Sequence, residues 1–338
     1  MDGLGRNSFR AAQPETATSA PPLAPGLSSP FFLDGWLEFN RVKWGVTPQR
    51  LTLGEPRRHV PRLDTVLYLD SRGRVTLPLL NAHLPVAFTT TESSLPARIV
   101  RQRQVLAGQL AEEYLARGLH GGLCLSPEVA DVREWQWRGF RVEVLYTFHL
   151  PLPLDESRVS HSVRKNIRKA TGAGFACALA DLGDISGVWS CIESTEKRQG
   201  FTHGLTRDDL ANVMRLMGHA HIRAYVCRNR GGGDIVAFRV ALVGNGTVAI
   251  DWIACVEEDY LGSGAVQQLL AYQLDDLASL GVTLFDVGGA NLRSVSAAKL
   301  DWGGLLIPYF RICRPIPDNV YTKARRRVGG LLRGLGLR

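Results

Sequence analysis

Two rhythms of apolar residues alternate along the chain, one returning every three to four positions and one every second position, so helices and strands are interleaved throughout. In the first half, "FFLDGWLEFNRVKWG" reads as an aromatic helix, and Thr65 to Asp70 followed by Val75 to Leu80 reads as a hairpin across "SRGR". A helical stretch from Ala97 to Arg117 stops at Gly118, a suitable C-terminal cap. Short strands follow at "GGLCL" and at "FRVEVLYTFHL", whose alternation predicts one buried face.

The proline-spaced "LPLPLDES" marks a boundary, after which "HSVRKNIRKATGAG" places Val163, Ile167 and Ala170 on one helical stripe and Arg164, Lys165, Arg168 and Lys169 on the rest of the surface. Ser160 or Ser162 is positioned to cap its start. Such a run is either a solvated face or an anion-binding one, and the residues alone leave both open. Asp184 to Arg198 repeats the helical spacing with Ile185, Val188, Trp189 and Ile192, and Thr206 with Asp209 forms a capping-box pattern opening a helix toward Met217. Three strands, "IRAYVC", "IVAFRVALV" and "TVAIDWIACV", are joined by short glycine-rich turns and predict an antiparallel meander. A helix ending at Gly281, the strand "VTLFDVGG" and a last strand "LLIPYFRI" complete the pattern. Each half thus holds a hairpin or meander, a helix and a further strand, which predicts two α/β domains (α+β type) in tandem, each a mostly antiparallel mixed sheet flanked by helices.

Composition narrows the partners. The chain has 338 residues, 45% of them hydrophobic, enough for two domains. A formal charge of +8 favours acidic partners: phosphorylated cofactors, nucleotide-linked substrates, RNA or an anionic membrane surface. The six cysteines are scattered, with no CxxC or CxxH pair, so no metal site or disulfide framework is expected and a cytoplasmic setting is. The first 30 residues lack the apolar core of a signal peptide and are rich in Pro, Ala, Ser and Thr, which predicts a disordered tail over 1–30. The expected domains are then 31–157 and 158–314, followed by a basic tail over 315–338. That tail, "YTKARRRVGGLLRGLGLR", mixes cations with Leu and Val; it is suited to peripheral contact with the inner face of an anionic membrane, or to disorder.

Candidate chemistry begins at Gly262-Ser263-Gly264-Ala265, between a strand and a helix, where glycines allow close backbone approach and first-turn N–H groups favour a phosphate. A meander, a G-x-G loop opening a helix, then a strand resembles the acetyl-CoA-binding half of the GNAT acyltransferase fold. "SHSVRKNIRKATGAGF" resembles the serine-then-basic-helix signature of FemAB-like transferases, a twin-GNAT family. "LASLGVTLFDVGGANLRSVSAAKLDWGG" resembles their Phe-Asp strand with glycine and the lysine that follows it. These blocks cover most of residues 158–310; the first half matches in element order and in "FFLDGWLEF".

The resemblance implies transfer of an acyl or aminoacyl group to an amine of a cell-envelope or saccharide precursor, with acetyl-CoA or another acyl-CoA as donor, or in some members a charged tRNA. Carried over by position, it implies a donor-pyrophosphate loop at Gly262, Ser263, Gly264 and Ala265, with Asp259 standing where that loop commonly has Arg or Gln. It implies a catalytic role for Lys299, preceded here by Ala298. Lys299 would stabilise an oxyanion, and Asp286, at its strand end, would position the lysine or the incoming amine. Arg164, Lys165, Arg168 and Lys169 would face the cleft between domains and hold phosphates of a nucleotide- or lipid-linked saccharide or peptide acceptor, or of the donor. Two other readings stay open: an aminoacyl-tRNA-dependent transferase acting on a peptidoglycan precursor, and a non-catalytic module binding RNA or anionic lipid. Asp251 and Trp252 in "DWIACVE", Glu193 with Glu196, and His219 with His221 are lesser candidates; Trp252 reads as core and the histidines as surface or capping residues.

Overall fold

The computed structural model describes residues 29–55, 60–231 and 233–314. The tail expected over 1–30, save its last two residues, and the basic tail over 315–338 lie outside them.

The first half runs α1 (Asp34–Trp44), β1 (Thr47–Gly54), β2 (Arg62–Leu69), β3 (Val75–Thr76), β4 (Val86–Thr89), α2 (Pro96–Arg117), β5 (Leu119–His120), β6 (Leu123–Cys124), α3 (Arg133–Trp137) and β7 (Arg141–Pro151). The second runs α4 (His161–Ala173), β8 (Ala176–Leu179), α5 (Ile185–Gln199), α6 (Arg207–His221), β9 (Ile222–Arg228), β10 (Ile235–Val243), β11 (Val248–Val256), α7 (Ala265–Ser279), β12 (Leu284–Gly289), α8 (Arg293–Leu300) and β13 (Leu305–Cys313). Local signals hold where chain chemistry decides them. Ser160, rather than Ser162, caps α4 by accepting from the Val163 N–H, and the Thr206/Asp209 box opens α6. The Gly118 N–H closes α2 on Tyr114.

The strands form two mixed sheets. One is β1-β2-β3-β5 with β4 added beside β2; the other is the eight-stranded β6-β13-β7-β12-β11-β10-β9-β8. Two strands of the first half, β6 and β7, are therefore built into the second sheet, and β13 lies between them. β7 is paired on both edges, by β12 and by β13, and Thr147 to Leu150 are buried on both faces, as in the interior of a covered sheet. Helix α1 crosses over too. Trp36 and Phe39 pack with α5, α6 and β9–β11 in one apolar cluster, while Leu37 belongs to the first half's own core. A further cluster joins β7, β12, α4 and α7. No helix among the described residues is long and apolar enough to cross a membrane.

Candidate active site

β11 and β12 pair in parallel only from Val248/Leu284 to Ile250/Asp286, then part. At the same level the ladder between β10 and β11 slips, from Val240 opposite Ile253 to Ala241 opposite Asp251, so Trp252 is the extra residue of a bulge. A bulge bends its strand and re-aims side chains. The gap widens into a cavity of 630 Å³ between β11, the end of β12, the first turns of α7, and α8, with the last turns of α5 on its rim. That size suits a small-molecule site, and a crevice at the carboxyl ends of parallel strands is where α/β sheets bind ligands.

Lys299 reaches this cavity from α8. Its ammonium donates to the carbonyls of Val287 (2.5 Å) and Gly289 (2.9 Å) of β12, so it is fixed against the parted strand rather than free in solvent. Burial pulls its pKa below the ordinary lysine value; Arg239 adds to the pull, and Asp251 and Asp286 oppose it.

Asp286 does not touch the lysine. Its Oδ1 accepts from the Thr147 hydroxyl and from the Gly288 N–H (2.9 Å), and His149 Nε2 lies 3.5 Å from its Oδ2. Burial pushes this carboxyl up, but His149, Thr147 and the Gly288 N–H outweigh burial and hold it below the usual carboxylate range. It fixes the turn whose carbonyls hold Lys299, and it does so through β7 of the first half. His83, kept below the ordinary imidazole value by burial, is the next group toward that half.

Beneath the lysine lies a polar set in an apolar surround. Arg239 donates to Asp251 Oδ2 (2.5 Å) and to Gln273 Oε1 (2.9 Å), and all three side chains are buried. Asp251 Oδ1 and Gln273 Nε2 are enclosed with no hydrogen-bond partner. Burial pushes the Asp251 carboxyl up, with Arg239 and Lys299 holding it back. Arg239 was not a candidate in the sequence, although a lone charge in the otherwise apolar "IVAFRVALV" is a visible signal in a strand whose nine residues are all buried.

The loop Gly262-Ala265 opens α7 as expected. Ser263 Oγ accepts from the Ala265 N–H (3.1 Å) and donates to the Tyr260 carbonyl (2.7 Å), while Val266 and Gln267 of the first turn face the cavity. The close approach at Gly264, however, is to protein: a side chain there would begin 2.2 Å from the Asn166 carbonyl of α4. Around Gly262 that space is open. Asp259 lines a different depression, with Arg228, Asp234 and Tyr260.

The four cations of α4 do not share one cleft between domains. Arg164 and Arg168, one turn apart, line a separate 230 Å³ cavity with Glu156, Ile167, Asp275 and Trp302, in the second half. Lys165 and Lys169 lie on the next strip of the helix. Lys169 donates to the Gly262 carbonyl (2.6 Å), tying α4 to the loop that opens α7, and Lys165 is exposed. Trp302 lines both cavities. Among the lesser candidates, half-buried Trp252 packs against the apolar cluster that holds Trp36 and Phe39, as its core reading expects, and also lines the cavity, its indole donating to the Leu80 carbonyl (3.2 Å). Glu193 is bonded to Trp189, and Glu196 to His203. No group of three or more His, Cys, Asp or Glu among the described residues is arranged to hold a metal.

Residues 157–294 match the family model for the acetyltransferase (GNAT) domain. Among solved structures, that of FemX is similar with a TM-score of 0.59 at 10% identity, covering 82% of this chain and 90% of that one. The C-terminal domain of a protein named as a lysylphosphatidylglycerol synthetase, from Agrobacterium fabrum, gives 0.52 at 12% identity, over 84% and 89%. A tandem GNAT protein from the clavulanic acid biosynthesis pathway gives 0.51 at 12% identity, over 81% and 85%. No curated protein matches the sequence. Residues 157–294 thus carry an acetyltransferase (GNAT) domain, and nearly all of the described chain shares the fold of FemX and of the tandem GNAT protein.

Proposed function

We propose that the chain is an N-acyltransferase that takes its acyl group from acetyl-CoA or another acyl-CoA. One observation carries this reading: a lysine ammonium held by two strand carbonyls stands in the cavity where β11 and β12 part. The acyl carbonyl lies in that gap. The acceptor amine attacks the carbonyl carbon, the oxygen gains negative charge, and Lys299 stabilises it; the C–S bond then breaks and the thiolate leaves, taking up the proton that the amine loses. Asp286 acts through the Gly288 turn as a positioning residue. The first turn of α7, behind Gly262 and Ser263, receives the donor's phosphates. Arg164 and Arg168, in the cavity that adjoins Trp302, take a phosphate of the acceptor, a nucleotide- or lipid-linked saccharide or peptide precursor of the cell envelope.

The test is a calorimetric titration of the full chain with acetyl-CoA. The expected outcome is binding near the micromolar range, about −8 kcal/mol, lost in competition with CoA. Absence of both heat and thermal stabilisation would overturn the acyl-CoA donor and leave aminoacyl-tRNA as the donor to be tried.

A further inference from the structure

The last turn of α5 brings Arg198 to the rim of the cavity that holds Lys299. Its guanidinium is half-buried and makes one hydrogen bond, from Nη1 to the carbonyl of Val256 (3.3 Å). Among the described residues the other partly enclosed arginines have carboxylates: Arg62 with Asp64, Arg74 with Asp70, Arg117 with Glu113, Arg138 with Glu134, Arg223 with Asp276, Arg228 with Asp184 and Arg239 with Asp251. Arg198 has no ion-pair partner among the described residues. A guanidinium carries five N–H groups in a rigid fork, and withdrawing it from water without an anion is costly. The fork stands between Thr195, whose hydroxyl and the backbone of Val256 already satisfy one another, and Gln199. Gln267 and Leu261 complete that part of the cavity wall, and none of these neighbours is a carboxylate.

We infer that Arg198 is a substrate-anion-binding residue of this cleft, taking a phosphate or carboxylate of a bound substrate. The inference rests on the reading of the cleft as a substrate site and specifies what enters it: a molecule with a negatively charged oxygen group near the transferred acyl group or the attacking amine. The source is either a donor phosphate or an anionic group on the acceptor. Arg198 thereby adds a cation on the rim of a cavity in which the Lys299 ammonium is held by two carbonyls and Arg239 and Asp251 are spent on each other.

Two probes separate the chemistries: inorganic pyrophosphate and malonate, each titrated by calorimetry into the full chain as wild type, Arg198→Gln and Lys197→Gln. Lys197 precedes Arg198 on the same helix but is exposed, so its variant removes an equal charge from solvent. One probe is expected to bind the wild type and to weaken tenfold or more in Arg198→Gln, the scale of one charge-assisted pair, with Lys197→Gln unchanged. Pyrophosphate as that probe assigns a phosphate, malonate a carboxylate. Arg198→Lys, which keeps the charge and loses the fork, is expected to fall between, and a melting curve matching the wild type shows that each variant is folded. The inference is overturned if neither probe binds the wild type at millimolar concentration, or if both glutamine variants weaken binding equally. Acetyl-CoA titrated into the same proteins keeps the two ideas apart. If it fails to bind while a probe still depends on Arg198, the donor reading falls and the anion site stands. If it binds while no probe depends on Arg198, the reverse holds.

Discussion

Gly264 offers a quantitative check on how the loop before α7 is built. It has φ +91°, and an added Cβ would lie 2.2 Å from the Asn166 carbonyl oxygen, 2.9 Å from its carbon and 3.3 Å from the Ala170 Cβ. Ordinary C···O contacts are about 3.3 Å or more, so the two helices would have to separate by roughly 1 Å. Helix α4 has little freedom to do so. Ser160 N–H is bonded to the Asp301 carbonyl (2.8 Å), Val163 and Ala170 are in the core, and Lys169 is bonded to Gly262. Left-handed backbone costs a non-glycine residue roughly 1–2 kcal/mol, and forcing an extra methyl into a packed site about 1–3 kcal/mol. Gly264→Ala is therefore expected to lose about 2–5 kcal/mol, a drop in melting temperature on the order of 10 °C. Gly262→Ala, in open space two residues away, is expected to change stability by no more than about 0.5 kcal/mol. Thermal denaturation of the two variants beside the wild type decides. If Gly264→Ala melts with the wild type, or Gly262→Ala falls as far, the account of the loop as a joint between α4 and α7 is wrong. Its corollary is practical: a substitution at Gly262, not at Gly264, probes ligand binding without disturbing the fold.

Lys299→Met is expected to lower kcat for acyl transfer by roughly 10²–10³ with KM little changed, as for loss of one oxyanion donor; steady-state thiol release with an accepted amine measures it, and an unchanged kcat removes the lysine from the mechanism. Because the protonated lysine is the active form and its pKa is lowered, the alkaline limb of kcat should fall below the ordinary lysine value, and Lys299→Arg should carry that limb out of range. The depressed pKa of Asp286 stabilises the fold fully above the usual unfolded carboxylate value, near 4, and this contribution fades as pH falls through the folded value. The melting-temperature gap between wild type and Asp286→Asn should accordingly narrow on acidification, and a gap independent of pH would contradict the assignment. Double substitution of Arg164 and Arg168 by Gln should raise KM for a diphosphate-linked acceptor and leave kcat in place; no change in KM returns those arginines to a solvated face.

How much was legible depended on the range of the interaction. Helix α4, the Thr206/Asp209 box and the three-strand meander follow from spacing within about ten residues, and each forms as read. Short β8 and β4, with neither strict alternation nor a long apolar run, carry no such signal and exist because a neighbouring strand accepts their backbone. The insertion of β7 between β12 and β13 is a tertiary choice among strands of similar pattern. The site divides in the same way. Lys299 and Asp286 stand in a recognisable block, but that Asp286 serves the lysine only through the Gly288 turn is visible only in three dimensions. The sequence reading turns Arg164, Lys165, Arg168 and Lys169 toward one cleft; that Arg164 and Arg168 line a cavity beside Trp302 while Lys169 meets the Gly262 carbonyl is set by packing against α7. Arg198 sits in "EKRQ", an ordinary polar helix end, and only the enclosure of its guanidinium distinguishes it.

The place of β13 bears on how the molecule is made. During synthesis β7 emerges long before Leu305–Cys313, the strand that covers one of its edges from Arg141 to His149. Until then that edge presents unpaired N–H and C=O groups beside Val144 and Tyr146, which stay exposed even in the finished fold. The nascent chain thus carries an adhesive edge throughout synthesis of the segment from Pro151 to Leu305, and completion of the eight-stranded sheet waits on contacts far apart in sequence, the slow class of folding event. Cutting the gene at the apparent boundary near residue 157 would leave β12 and β13 without β7, so the second half expressed by itself would lack the strand that holds its candidate reaction cleft in shape.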